Sequence, residues 1–263
     1  HFLYWKNAMW QVAELATGAT RTIGAGAPSF VNTEFDYPGP KPPYGIASYT
    51  ADGSGVIVPS RFDLWLLPLD GSAARNLTNG VGTREQIVFR PVRFEPIDSS
   101  ARRAARVARE IDLAKPLTLS AYGEWTKKAG FYRLADGQLT PLVYEDASFA
   151  TPSRARDADL VLYSRQTFAE FPDLLLAASD LRNPKKISDV NPQRILALPD
   201  DYVTGQKLPM LVTFYEKNSQ TMHRYPTPSF LTGMGGMPVE AVSRGYATML
   251  PDVHFHTGSS HSD

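Results

Sequence analysis

The sequence predicts about four β-propeller blades followed by the opening strands of an α/β domain. Two features of the chain carry this reading. Over roughly the first 190 residues one phrase recurs: an extended apolar segment, a turn bearing Gly or Asp, and a return through Leu/Ile-Thr or Ile-Ser. Between Leu208 and Asp252 the pattern changes to strand, helix, Gly, strand and acidic turn, which is one βαβ unit.

The elements follow in order. His1-Phe-Leu-Tyr-Trp5 reads as a strand entered part-way, so the natural protein is expected to begin earlier; it has neither the charged start nor the long apolar stretch of a signal peptide. Met9 to Gly18 turns into Arg21-Thr-Ile23, and Asp63 to Gly71 turns into Arg75-Asn-Leu-Thr78. Gly130 to Gly137 turns into Leu139-Thr-Pro-Leu142, and Asp173 to Asp180 turns into Lys185-Lys-Ile-Ser188. Each is a hairpin with a tight turn. The turns at Gly18, Gly71, Gly137 and Asp180 stand 43 to 66 residues apart, which is blade length with some insertions. The upstream halves of blades are visible at Ile46–Val58, Pro116–Tyr122 and Ala158–Ser164. A generic antiparallel sandwich also places turns at short intervals, but it need not repeat one phrase at this length.

Ser99 to Asp112 reads as the one helical interruption, capped by Ser99 or Ser100. Arg102, Arg106 and Arg109 then fall on one face. Such a face could hold phosphate or a peptide carboxylate, or be a solvated insertion. Trp5, Trp10, Trp65 and Trp125 are spread one to a blade-like segment and are expected to pack in the core.

Leu208-Pro-Met-Leu-Val-Thr-Phe-Tyr215 is an apolar run that reads as a fully buried strand. Pro238 to Arg244 has helical spacing, Gly245 stops it, and Tyr246 to Leu250 is a second strand parallel to the first. Gly233-Met-Gly-Gly-Met-Pro238 lacks both the P-loop Lys and the dinucleotide glycine spacing, and is read as a flexible turn. The domain boundary is placed between residues 193 and 194, with the propeller blades over 1–193 and the α/β segment over 194–263. Pro192 to Pro199 is abrupt enough that chain is expected to be omitted there.

Composition narrows the function classes. Lys+Arg and Asp+Glu number 27 each, so the net charge is zero and neither nucleic acid nor another polyanion is implied. Apolar residues at 43% suffice for a sizeable core. Cysteine is absent, which excludes disulfides and thiolate metal sites within these residues. No run approaches the roughly 18 apolar residues of a membrane span.

Several of these words resemble the prolyl oligopeptidase family of serine peptidases. Phe62-Asp-Leu-Trp65, Arg75-Asn-Leu-Thr78, Trp125 to Tyr132, Phe171-Pro-Asp-Leu174 and Ile187 to Gln193 are similar to the closing propeller blades of its acylaminoacyl-peptidase-like and glutamyl-endopeptidase-like bacterial members. Leu208 to Asn218, Ser243 to Val253 and His256 to Asp263 are similar to the start of its α/β-hydrolase peptidase domain. The resemblance covers most of the chain and rests on the order of weak motifs. It implies that propeller blades are missing upstream, since the family usually has roughly seven or eight.

The resemblance implies acyl transfer through a Ser-Asp-His triad. No Gly-x-Ser-x-Gly nucleophile elbow occurs in these residues, so the triad is expected beyond Asp263 and this chain alone is expected to be inactive. What carries over is Tyr215, which ends the first strand where the family's Tyr donates its hydroxyl to the oxyanion hole. There Gly-Gly follows, whereas here Glu216-Lys217-Asn218 does, and a Tyr simply packed at a strand end is the plain alternative. Asp252 is read as fixing its loop rather than as the triad acid. His254, His256 and His261 lack a carboxylate or fourth ligand at metal spacing and are read as a polar loop. No adjacent Glu pair of the dipeptidyl-peptidase type is present.

The expected partners are a peptide substrate and the remainder of the chain's own protein, with a homo-oligomer left open. No cofactor and no metal is called for. The related bacterial enzymes are often exported, which points to the periplasm or outside. A different class of function fits the same blades: a propeller-based binding module with a non-catalytic α/β segment. An esterase or lipase on the same hydrolase fold is a third reading, since fold does not fix substrate.

Overall fold

The computed structural model describes residues 1–92, 94, 110–168, 170–189, 203, 206–212, 218–225 and 238–249, the side chains of 238–240 excepted. Within these, four antiparallel sheets follow one another along the chain. The first holds β1 (Phe2–Lys6), β2 (Met9–Ala13) and β3 (Thr20–Ile23) in that order. The second holds β4 (Ser48–Tyr49), β5 (Gly55–Pro59), β6 (Leu64–Pro68) and β7 (Arg75–Asn76). The third holds β8 (Ile87–Pro91), β9 (Leu117–Gly123), β10 (Ala129–Ala135) and β11 (Gln138–Glu145). In the fourth, β12 (Ser148–Phe149) and β13 (Ser153–Arg154) both pair with β14 (Val161–Gln166), which is followed by β15 (Asp173–Ala177) and β16 (Lys185–Lys186). The first three sheets are meanders whose strands pair in chain order, whereas in the fourth β12 and β13 lie one after the other along the same edge of β14.

The expected hairpins are all present. Trp10 faces Ile23 across β2 and β3, Trp65 faces Asn76 across β6 and β7, and Leu176 faces Lys185 across β15 and β16. Between β10 and β11, Asp136 and Gly137 have φ of 51° and 71°. Two successive left-handed residues are what a two-residue hairpin needs to match the strand twist. Gly130 answers a different demand: a Cβ there would lie 1.9 Å from the Val143 carbonyl oxygen, so only hydrogen lets β10 and β11 approach at this point.

Strand alternation explains how the sheets stack. On β5, Val56 and Val58 point one way into a cluster with Trp10, Val12 and Ile23 of the first sheet. Ile57 points the other way, toward Phe89, Leu119 and Tyr132 of the third sheet. On β10, Tyr132 and Leu134 face the second sheet, while Phe131 faces Val161, Tyr163 and Ala177 of the fourth. Side chains at period two thus bury both faces of the second and third sheets. Each sheet packs face to face on the next, as the blade-length repeat led us to expect. Phe89 and Tyr132 meet edge to face at 5.1 Å, and Phe131 meets Phe149 at 5.6 Å, a favoured geometry for aromatic pairs.

The α/β unit is also present. β17 (Met210–Val212) and β18 (Ala247–Met249) pair in parallel, with Leu211 opposite Thr248. The connecting chain includes a 3-10 turn (Asn218–Thr221) and a helix at Pro238–Ser243, closed by Gly245 at φ 82°. That is the αL stop read from the sequence.

Four expectations need correcting. Of the strand read as fully buried over Leu208–Tyr215, the described residues form Met210–Val212, and all three side chains are exposed there. The helix at Pro238–Ser243 packs beside β18 yet leaves β17 open to water, and residues 213–217 lie outside the described residues. Trp125 is 71% exposed because it sits in the turn between β9 and β10 rather than on a strand. Residues 99–109 lie outside the described residues, but 110–112 are not helical: Ile111 forms a bridge to Thr50 and donates its N–H to the Tyr49 carbonyl. Conversely, a short helix at Val81–Glu85 joins the second and third sheets, closed by Gln86 in the left-handed region. Five residues are too few to show an apolar period. The 193/194 boundary also falls outside the described residues.

Candidate functional site

Strand direction brings the turn between β5 and β6, the turn between β9 and β10 and the connections that follow the first and second sheets to one end. The turns at 60–63 and 124–128 and the connections 24–47 and 77–86 meet there. Several charged side chains meet at this end. Arg61 donates from Nη2 to Glu124 at 2.5 Å, stands 3.6 Å from Glu34 and lies 5.0 Å from the centroid of the Phe62 ring. Arg90 on β8 donates to the carbonyls of Phe89, Ser60 and Arg61. Burial lowers its pKa, and the Tyr44 and Glu34 side chains work against that shift.

The fourth sheet continues the pattern. Arg165 donates from Nε to Glu145 and from Nη1 to Glu170, both at 2.6 Å. Burial would lower the guanidinium pKa, but these two charge-assisted hydrogen bonds outweigh it, and the net shift is upward. Tyr163, next but one along β14, is pushed up by burial and then by Glu145, with Arg165 opposing. Arg165, Glu145, Tyr163 and Phe149 help to line an open recess of about 510 Å³ between the third and fourth sheets.

The C-terminal segment touches this same end. The Tyr225 N–H donates to Gln166 Oε1 at 3.1 Å, and its ring packs edge to face on Phe171 at 5.2 Å. His223 Nε2 lies 3.6 Å from Asp146, in the connection between β11 and β12. Chain that precedes β18 is therefore held against the polar end of the sheet stack. Ligand sites between two packed units commonly form in such a position.

Asp63 holds the end together from beneath. Only 1% exposed, it accepts hydrogen bonds from the Thr78 hydroxyl at 2.6 Å, the Gly82 N–H at 2.9 Å, the Thr83 N–H at 3.0 Å and the Thr83 hydroxyl at 2.5 Å. A Cβ on Gly82 would lie 2.7 Å from the Asp63 carboxylate, so glycine is required for that approach. One buried carboxylate thereby joins the β5–β6 turn to the short helix entering the third sheet. Asp63 stands within Phe62-Asp-Leu-Trp65, where no local spacing signals this role.

None of the sequence-derived site residues is among the described residues. Tyr215 lies outside the described residues, three positions beyond the carboxyl end of β17. Asp252, His254, His256, His261, the glycines of 233–236, and Arg102, Arg106 and Arg109 also lie outside them. Among the described residues no group of three or more His, Asp or Glu side chains comes together to hold a metal, and no helix is long and apolar enough to cross a membrane.

No protein-family model matches the chain, and no curated protein matches it. Solved structures do. A protein assigned as a dipeptidyl aminopeptidase IV from Bacteroides ovatus ATCC 8483 aligns over 93% of this chain and 44% of its own, at 12% identity and a TM-score of 0.49. The AtxE2 isopeptidase with astexin3-dC4 bound aligns over 95% of this chain and 63% of its own, at 10% identity and a TM-score of 0.36. An acylaminoacyl peptidase in complex with a chloromethyl ketone aligns over 92% of this chain and 53% of its own, at 13% identity and a TM-score of 0.35. The chain thus spans less than two thirds of the length of each of these structures. At these scores the likenesses carry no inference about activity, and the functional reading rests on the chain's own residues.

Proposed function

We propose that this chain is part of a serine-type peptidase of the prolyl oligopeptidase kind: closing propeller blades, then the first βαβ unit of the α/β-hydrolase domain. The observation that supports this most is the parallel pairing of β17 with β18 around a connecting helix, directly after a run of antiparallel blade-like meanders. Few architectures join those two patterns in one chain. The contacts of Tyr225 and His223 with the polar end of the stack add support, because both residues belong to the chain between β17 and β18.

In this reading a serine beyond Asp263 attacks the peptide carbonyl while a histidine takes its proton. The Tyr215 hydroxyl, at the carboxyl edge of the first strand, donates a hydrogen bond to the developing oxyanion. The sheet stack covers the cleft and limits access to peptides and exposed segments. Chromogenic peptide substrates test this. The intact protein is expected to turn them over, whereas residues 1–263 alone are expected to be inert, because these residues contain no nucleophile elbow. Intact protein that binds peptides but never cleaves them would instead favour a binding module.

A further inference from the structure

The connection between β3 and β4 is not a plain loop. Residues 30–44 fold back on themselves as an arm: Val31 bridges Pro43, the Asn32 N–H donates to the Pro42 carbonyl at 2.7 Å and the Tyr44 N–H donates to the Phe30 carbonyl at 3.0 Å. Phe30 roots the arm in the core between the first and second sheets. The Thr33 and Tyr44 hydroxyls meet at 3.1 Å, and four prolines between Pro38 and Pro43 limit the chain further. Glu34 then ties the arm to Arg61, at the polar end that the C-terminal segment touches.

At the tip, Phe35 and Tyr37 stand 5.5 Å apart with their rings tilted by 47°, and Tyr37 is 71% exposed. Phe35 is half-buried, while the Tyr37 ring that this ordered arm presents to water keeps a face open to a partner. The nearest charges in sequence are acidic, Glu34 and Asp36, while the arm's single cation, Lys41, is engaged with the Thr33 carbonyl at 3.1 Å. Electron-rich ring faces beside carboxylates attract a cation.

We infer that this arm recognises a lysine or arginine side chain of a peptide, held between the Phe35–Tyr37 pair and Asp36, at the mouth of the sheet stack. The inference rests on the peptide-cleft reading above only for the class of ligand. It is independent of whether that ligand is cleaved.

The test uses the intact protein and two fluorescent pentapeptides that differ only in a central lysine or norleucine, with binding read by anisotropy and cleavage followed in parallel. The lysine peptide is expected to bind about threefold to tenfold more tightly. Tyr37→Ala and Asp36→Asn should each abolish that preference, whereas Tyr37→Phe should keep it. Because Tyr37 and Asp36 are exposed, these variants are expected to retain the parent's melting temperature. A parent protein without the preference, or a Tyr37→Ala variant that keeps it, overturns the inference. If the preference behaves as expected while no peptide is cleaved, the peptidase reading fails and the arm's role stands.

Discussion

Replacing Asp63 by alanine is expected to lower the unfolding free energy by about 3–5 kcal/mol. Four donors converge on this one buried carboxylate, two of them backbone N–H groups of the helix that enters the third sheet. Alanine would leave the buried Thr78 hydroxyl and Gly82 N–H without an acceptor, at about 1–3 kcal/mol each, whereas the exposed Thr83 can turn to water. The sum falls short of simple addition because the short helix can fray and recover some of these bonds. Asp63→Asn should lie between parent and alanine, since one oxygen persists while an amide NH₂ faces donors. Urea unfolding of the intact protein, following the transition of the β-rich part, measures it. A loss below about 1 kcal/mol would show that Asp63 does not organise this end of the stack.

The second large effect concerns chemistry. On the proposed peptidase reading, Tyr215→Phe in the intact protein is expected to lower kcat by ~10²-fold or more, with KM little changed, because a donor aimed at the oxyanion acts in the transition state and not on bound substrate. A hundredfold loss corresponds to about 2.7 kcal/mol of barrier. A comparable rise in KM at constant kcat would instead place the ring among the ground-state binding contacts. Unchanged turnover would remove Tyr215 from the mechanism.

Much of the fold is legible in the sequence because its turns announce themselves. A β-hairpin of this kind needs left-handed residues, and Asp136-Gly137, Gly18 and Gly71 supply them at positive φ. The parallel pair is legible for a similar reason, since Gly245 ends the helix where the chain must turn into β18. Burial at β17 is misread because hydrophobicity reports the tendency of a strand to be covered, whereas Met210, Leu211 and Val212 remain open to water. Trp125 is misread because a tryptophan in a turn has no sheet face to pack on.

The candidate site is much less legible. Its parts are joined across the chain: Arg61 with Glu124, Arg165 with Glu145, and Tyr225 with Gln166. No local spacing encodes such partners. The arm over 30–44 escapes notice too, because its prolines and glycines remove the periodicities by which strands and helices are recognised.

The central claim is that the polar end of the sheet stack is the lid of a serine-peptidase cleft completed by the α/β unit. Labelling the intact protein with a fluorophosphonate, followed by mapping of the modified residue, tests it most directly. A single labelled serine within a Gly-x-Ser-x-Gly elbow on the C-terminal side of β18, blocked by prior peptide chloromethyl ketone, is the predicted result. Intact, folded protein in which no serine is labelled would contradict the account.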